Sequence, residues 1–371
     1  MEPKLSQYLH AKGRKLGLPI AGTFELTSRC NFNCKMCYVH LTAEEQKKYG
    51  RELTAQEWIQ LAQEAKEAGM VFLLLTGGEP TLRSDFPEIY SKLHEMGFII
   101  SINSNGYLLR GEILELFKRL PPTRINVSLY GTSNETYRNL CGVPAYEVIL
   151  ENIRALRENH IDVKMNMSVT DYNREDMQAV YEQAKALGVH TQAATYMFPP
   201  VRITGKFGEA DRMTASCAAY CEVAYEKIRK TKEQYAEYRR RLLAGIPQEP
   251  GEDCEGQPGA EMPCRAGRSA FWLAWNGMLS PCGMMPQPAV NVLELGFRAS
   301  WQRIRTEVEN IRLPSACNTC RYRHGCHVCA AICYCETGRC DGKPEYLCEL
   351  TKNVFELVQN DALGGNHGNQ T

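Results

Sequence analysis

The chain has 371 residues, 44% hydrophobic and 23% charged, with 43 basic side chains against 43 acidic ones. That length suits one large domain and a smaller one, and the balanced charge gives no reason to expect nucleic acid or an anionic membrane surface as partner. No apolar run reaches the roughly 18 residues of a spanning helix, and the basic first 18 residues lack the apolar core of a secretory signal.

A cytoplasmic protein is therefore expected. In a reducing compartment its 17 cysteines point to metal or redox chemistry rather than to disulfides. Three of them (Cys30, Cys34, Cys37) fall close together near the start, and eight lie between Cys317 and Cys348. Two separate metal-binding regions are the simplest account.

In chain order, strands are predicted at 22–27, 71–75, 98–103, 124–129, 162–169 and 190–196. Helical patterns fall between them at 54–68, 84–96, 111–119, 146–158 and 174–187. Thr54 with Glu57 can form a capping box, and Gly69, Gly97 and Gly188 fit helix ends. Six β/α units in series predict an α/β fold, a parallel sheet with helices outside it. Eight units would close a barrel, so six predict a partial (β/α)6 TIM-like barrel. We divide the chain into a 1–20 extension, the barrel at 21–200, a helical connector and linker at 201–258, a cysteine-rich domain at 259–350 and a tail at 351–371. Within these, 214–243 reads as one long helix, 270–275 as a hairpin strand turning at Asn276-Gly277, 299–311 as a helical insert, and the chain from Asn360 as disordered.

Cys30-x3-Cys34-x2-Cys37 follows the first strand, where a parallel barrel builds its active site. Thiolates suit iron–sulfur clusters or zinc, and three of them leave one iron of a cubane open for chemistry. The alternative is a structural metal site completed by a residue such as His40. The strands then end in Thr76-Gly77-Gly78-Glu79-Pro80, Asn103-Ser104-Asn105-Gly106 and Ser128-Leu129-Tyr130-Gly131.

This series resembles the radical S-adenosylmethionine (SAM) superfamily over residues 21 to about 196. The resemblance implies that Cys30, Cys34 and Cys37 hold a 4Fe–4S cluster whose open iron binds SAM, reduced by a flavodoxin- or ferredoxin-type donor. It implies SAM contacts from Gly77, Gly78, Glu79, Asn105, Ser128, Arg138 and Asn166. Relatives often carry Arg-Gly where this chain has Cys141-Gly142, so the arginine role passes to Arg138. Cys141 either donates a hydrogen atom to a substrate radical or packs in the core.

Cys264-x12-Gly277-x4-Cys282, then Cys317-x2-Cys320-x5-Cys326-x2-Cys329 and Cys348, resemble the SPASM extension of that superfamily, with its auxiliary 4Fe–4S clusters. The resemblance gives Cys317, Cys320, Cys326 and Cys348 to one cluster. It gives Cys264, Cys282, Cys329 or Cys333, and Cys254 to another. Cys335 and Cys340 are surplus, and a zinc ribbon is the competing reading of the paired cysteines. Cys217 and Cys221 are read as packing.

The function implied is SAM-dependent radical modification of a peptide or protein, with no nucleic acid or membrane partner. Oxidation or rearrangement of a small molecule is the alternative, and a non-catalytic metal scaffold the second. Sulfatase maturation is disfavoured, because such relatives carry an acidic residue where Gly283 stands here.

Overall fold

In the computed structural model, which describes residues 5–246, 262 and 264–364, helices and strands alternate from the first turn. Helix α1 (Leu5–Leu16) precedes β1 (Ala21–Glu25). Helices α2 (Ala43–Lys48) and α3 (Ala55–Glu67) lead to β2 (Phe72–Thr76), α4 (Phe86–Glu95) to β3 (Ile99–Ser104), and α5 (Glu112–Arg119) to β4 (Arg124–Ser128). Helices α6 (Asn134–Cys141) and α7 (Tyr146–Glu158) lead to β5 (Val163–Ser168), and α8 (Met177–Ala186) to β6 (His190–Ala194). A connector carries α9 (Val201–Thr204), α10 (Ala215–Arg229) and α11 (Lys232–Leu243). The remainder contains β7 (Ala270–Leu273), β8 (Met278–Ser280), β9 (Val290–Asn291), α12 (Val292–Val308), α13 (Ala330–Thr337) and α14 (Glu345–Gly364).

Among the described residues all nine strands form one sheet in the order β6-β5-β4-β3-β2-β1-β7-β8-β9. The first six pair in parallel as consecutive β/α units, the expected partial barrel. The sheet does not stop at β1, as the sequence suggested: β7 adds in parallel to it, Ala21 facing Ala270, so the cysteine-rich region continues the barrel wall. The β7–β8 hairpin turns at Gly277 as expected, with φ of 85°.

One face of the sheet is apolar and shut. Phe24, Leu73, Leu75, Ile100, Ile102, Ile125, Val127 and Met165 are buried there in one core with helix residues Trp58, Phe86, Phe117 and Ile153. Burying each such side chain is worth about 1.5–3 kcal/mol. The other face is polar and half open, with Asn103, Asn126, Ser128, Lys164, Asn166 and Ser168 alternating with those core residues. Parallel sheets are normally covered on both faces. A polar uncovered face is therefore the space left for a ligand.

Three helix boundaries depart from the sequence reading. The long helix breaks at Lys230, because Thr231 and Gln234 form a capping box that starts α11. The insert begins earlier, at Val292, and kinks at Gly296, whose φ is 72°. Helix α14 runs past Asn360 to Gly364, so the proposed tail is largely helix. Helices α1, α6 and α13 carried no clear signal. Among the described residues no helix is long and apolar enough to cross a membrane.

Candidate active site

The loop after β1 carries the three cysteines, and the backbone around it is arranged to meet sulfur. Phe32 N–H donates to Cys30 Sγ (3.4 Å), Val39 and His40 N–H to Cys37 Sγ (3.5 and 3.2 Å), and Asn105 Nδ2 to Cys30 Sγ (3.6 Å). Such N–H donors stabilise negative charge on a ligating thiolate. Without a cation the thiols are held up. Burial pushes Cys30 to about 12 and raises Cys37, while a hydrogen bond with Cys141, then burial, raises Cys34. Iron would supply the missing positive charge, and a thiol that coordinates it is deprotonated outright. The donor set and its surroundings thus fit a cluster with three protein ligands. Among the described residues no three Cys, His, Asp or Glu side chains close around one point as the ligands of a single metal ion do; cubane ligands sit on different irons.

The glycines after β2 press on this loop. Gly78 N–H donates to Thr27 O (2.8 Å) and Glu79 N–H to Arg29 O (2.9 Å). A Cβ on Gly78 would stand 2.2 Å from Arg29 O, and one on Gly77 2.5 Å from Thr27 O. The close approach that requires glycine is therefore made to the cysteine loop itself.

Glu79 was expected to face SAM directly. Its carboxylate is instead wholly buried and turned into the fold, accepting from Thr81 N (3.1 Å), Thr81 Oγ1 (2.6 Å), Ser104 Oγ (3.0 Å) and Asn105 N (2.7 Å). It thereby ties the turn after β2 to the turn after β3 and sets Asn105, whose amide reaches Cys30 and Asn31 Oδ1 (2.8 Å). Burial raises its pKa against those bonds.

Ser128 and Asn166 pair across β4 and β5 at the open face, both half-buried. Arg138 lies on the exposed side of α6. Cys141 is fully buried beneath the loop, within the core that was the other reading of its sequence position. Cys217 and Cys221 pack against Met213 Sδ at 3.7 and 3.8 Å, as expected of small hydrophobes, with Arg174 Nη1 2.7 Å from Cys217 Sγ.

The C-terminal cysteines fall into two neighbourhoods. Cys329 caps α13 and lies within the electrostatic reach of Cys282 and Cys264; burial, then those thiols, push it to about 12. Cys317, Cys326 and Cys348 feel one another, with Cys320 beside them. Cys333 is buried between the two sets. Cys335 Sγ lies 3.1 Å from Met284 O, and Cys340 Sγ 3.7 Å from Met285 Sδ. Cys254 lies outside the described residues.

Sequence reasoning missed one cluster. Glu25, fully buried at the end of β1, accepts from Arg202 Nη1 and Nη2 (2.9 Å each) and from Trp272 Nε1 (2.7 Å). Arg202 Nη1 also donates to Gly283 O (3.2 Å), beside Cys282. A lone strand-end glutamate and an arginine after two prolines carried no motif. A Cβ on Gly283 would come within 2.7 Å of the Trp272 indole, so a side chain there would press on that ring.

With this geometry in place, comparison with known proteins is informative. Residues 24–184 match the radical SAM superfamily. The AdoMet-dependent heme synthase of Methanosarcina barkeri is 29% identical over 328 residues, 85% of this chain and 92% of that protein. A probable GTP 3',8-cyclase of Saccharolobus islandicus is 38% identical over 167 residues, 44% of this chain; the match spans about half (53%) of that protein. Among solved structures, Streptococcus suis SuiB bound to its precursor peptide SuiA shares the fold with a TM-score of 0.65 at 16% identity, over 91% of this chain and 79% of that one.

Proposed function

We propose that the chain reductively cleaves SAM and abstracts hydrogen from a peptide or protein substrate held against the open polar face of the sheet. The observation that carries this reading is the cysteine loop, with N–H groups aimed at its sulfurs, opening at the strand ends beside that face. Cys30, Cys34 and Cys37 hold the 4Fe–4S cluster, which when bound supplies the electron that splits SAM into methionine and a 5′-deoxyadenosyl radical. The protein's task is to bind and orient SAM and to keep water from the radical. Backbone at Gly77 and Gly78, with Asn105, Ser128 and Asn166, lines the SAM subsite, and Arg138 serves its carboxylate from the rim. Glu79 acts through Asn105 rather than on SAM.

The substrate's hydrogen passes to 5′-deoxyadenosine. Cys264, Cys282, Cys329 or Cys333 and Cys254, and Cys317, Cys320, Cys326 and Cys348, would hold one or two auxiliary 4Fe–4S clusters of a SPASM-like domain, which when bound would offer an acceptor for the electron left on the substrate. A flavodoxin- or ferredoxin-type donor in the cytoplasm would supply the electron to the first cluster.

A peptide substrate is supported by the open side of the sheet, where His190, Gln192 and Ala194 of β6 are exposed, and by the SuiB structure with its peptide. A second reading, oxidation of a small molecule, is favoured by the heme synthase, which matches nearly end to end where SuiB shares only the fold. The deciding experiment is anaerobic reconstitution with iron and sulfide, then dithionite and SAM. Deuterated peptides encoded beside the gene are compared with deuterated heme precursors. Deuterium in 5′-deoxyadenosine from the peptide supports the first reading, and from the heme precursor the second. No 5′-deoxyadenosine from fully loaded protein would sink both.

A further inference from the structure

The contact between Cys141 and Cys34 goes beyond this reading and rests on it. Cys141 is fully buried beside the cysteine loop, and its thiol lies close enough to Cys34 to hold that thiol up. The backbone makes the contact hard to avoid. Cys141 O accepts from Asn33 N–H (3.0 Å) and Leu140 O from Lys35 N–H (3.1 Å), so the last turn of α6 grips the loop on both sides of Cys34. The helix is stopped there by Gly142 in the left-handed conformation, φ 79°, whose N–H closes on Arg138 O.

We propose that Cys141 is a positioning residue that donates an S–H···S hydrogen bond to the iron-bound Cys34 thiolate and thereby raises the reduction potential of the SAM-binding cluster. A sulfur bound to iron only accepts, so the hydrogen in this contact belongs to Cys141. The reduced cluster carries one more negative charge than the oxidised one, so a donor at its sulfur stabilises the reduced state more. Hydrogen bonds to cluster sulfurs are a recognised control of potential. In a buried site no water competes for the bond.

The test uses fully reconstituted protein and an EPR-monitored redox titration, with the SAM-binding cluster recognised by its response to SAM. Cys141→Ala is expected to move that midpoint to more negative potential. It should also remove one exchangeable-proton coupling from the reduced cluster, seen by pulsed EPR before and after transfer to deuterium oxide. Cys141→Ser keeps a donor and should keep the coupling. Should the alanine variant lose iron, Cys141→Ser against Cys141→Val makes the same comparison at near-equal volume. An unchanged midpoint and coupling without the donor overturns the proposal. So does a cluster that survives Cys34→Ala but not the double Cys34→Ala/Cys141→Ala, which would make Cys141 an iron ligand. Unchanged iron in both Cys30→Ala and Cys34→Ala would instead remove the cluster assignment beneath it.

Discussion

Removing the guanidinium of Arg202 should weaken the joint between the barrel and its C-terminal extension more than any surface ion pair could. Glu25 has no solvent exposure, and the Arg202 side chain is 19% exposed. In Arg202→Met the carboxylate keeps the Trp272 indole N–H but loses both guanidinium bonds, and Gly283 O loses its donor. Truncating one partner of a buried pair costs about 3–5 kcal/mol, because the other charge is left unpaired. At roughly 2–4 °C per kcal/mol for a domain of 150–250 residues, the melting midpoint of the reconstituted protein should fall by about 6–20 °C. Anaerobic melts followed by circular dichroism at fixed scan rate read the shift. Replacing the pair by neutral groups should recover most of it, so the double Glu25→Gln/Arg202→Met should melt well above Arg202→Met. The pair also holds Gly283 beside Cys282, and the single variant should lose auxiliary-cluster iron before SAM-binding iron. If Arg202→Met melts like the unaltered protein, or the double variant is no better than the single, the reasoning from an uncompensated buried charge fails.

Three further outcomes follow from the same geometry. Gly78→Ala drives a Cβ into Arg29 O, so iron held by the first cluster and SAM binding should both drop, whereas Gly97→Ala, with nothing within 4 Å, should leave both unchanged. Cys34→Ala should abolish 5′-deoxyadenosine formation and spare iron at the C-terminal cysteines, and Cys317→Ala should do the reverse for iron, measured per chain by colorimetric assay. His10, bonded to Ser269 Oγ (2.9 Å), is held down to about 4 by burial and then by Arg265. A group whose folded pKa lies below its unfolded 6.5 stabilises fully above 6.5 and loses that contribution as pH falls toward 4, about 1.4 kcal/mol by pH 5.5. Denaturation at pH 7.5 and 5.5 should show this loss, and His10→Gln should remove it; an equal pH dependence in both proteins would refute it.

Much of the molecule was legible because its signals are local. The six strands and five of the seven helices between residues 21 and 196 are amphipathic or apolar runs bounded by local signals, so their positions follow from neighbours in sequence. The cysteine loop was legible for the same reason, three cysteines within eight residues. What tertiary structure alone decided are matters of direction and partnership. Sequence identified Glu79 as a site residue, but only the packing of β2 against β3 turns its carboxylate to Ser104 and Asn105. Sequence left Cys141 between substrate and core; the grip of α6 on the loop places it against Cys34. Sequence divided the barrel from the cysteine-rich region, whereas β7 pairs with β1, Thr23 facing Trp272, the Trp272 indole bonds to Glu25 across 247 residues, and Arg202 locks the seam. A contact at that separation leaves no periodicity or spacing in the chain, because it is selected by complementarity of charge and shape between segments that meet only after folding.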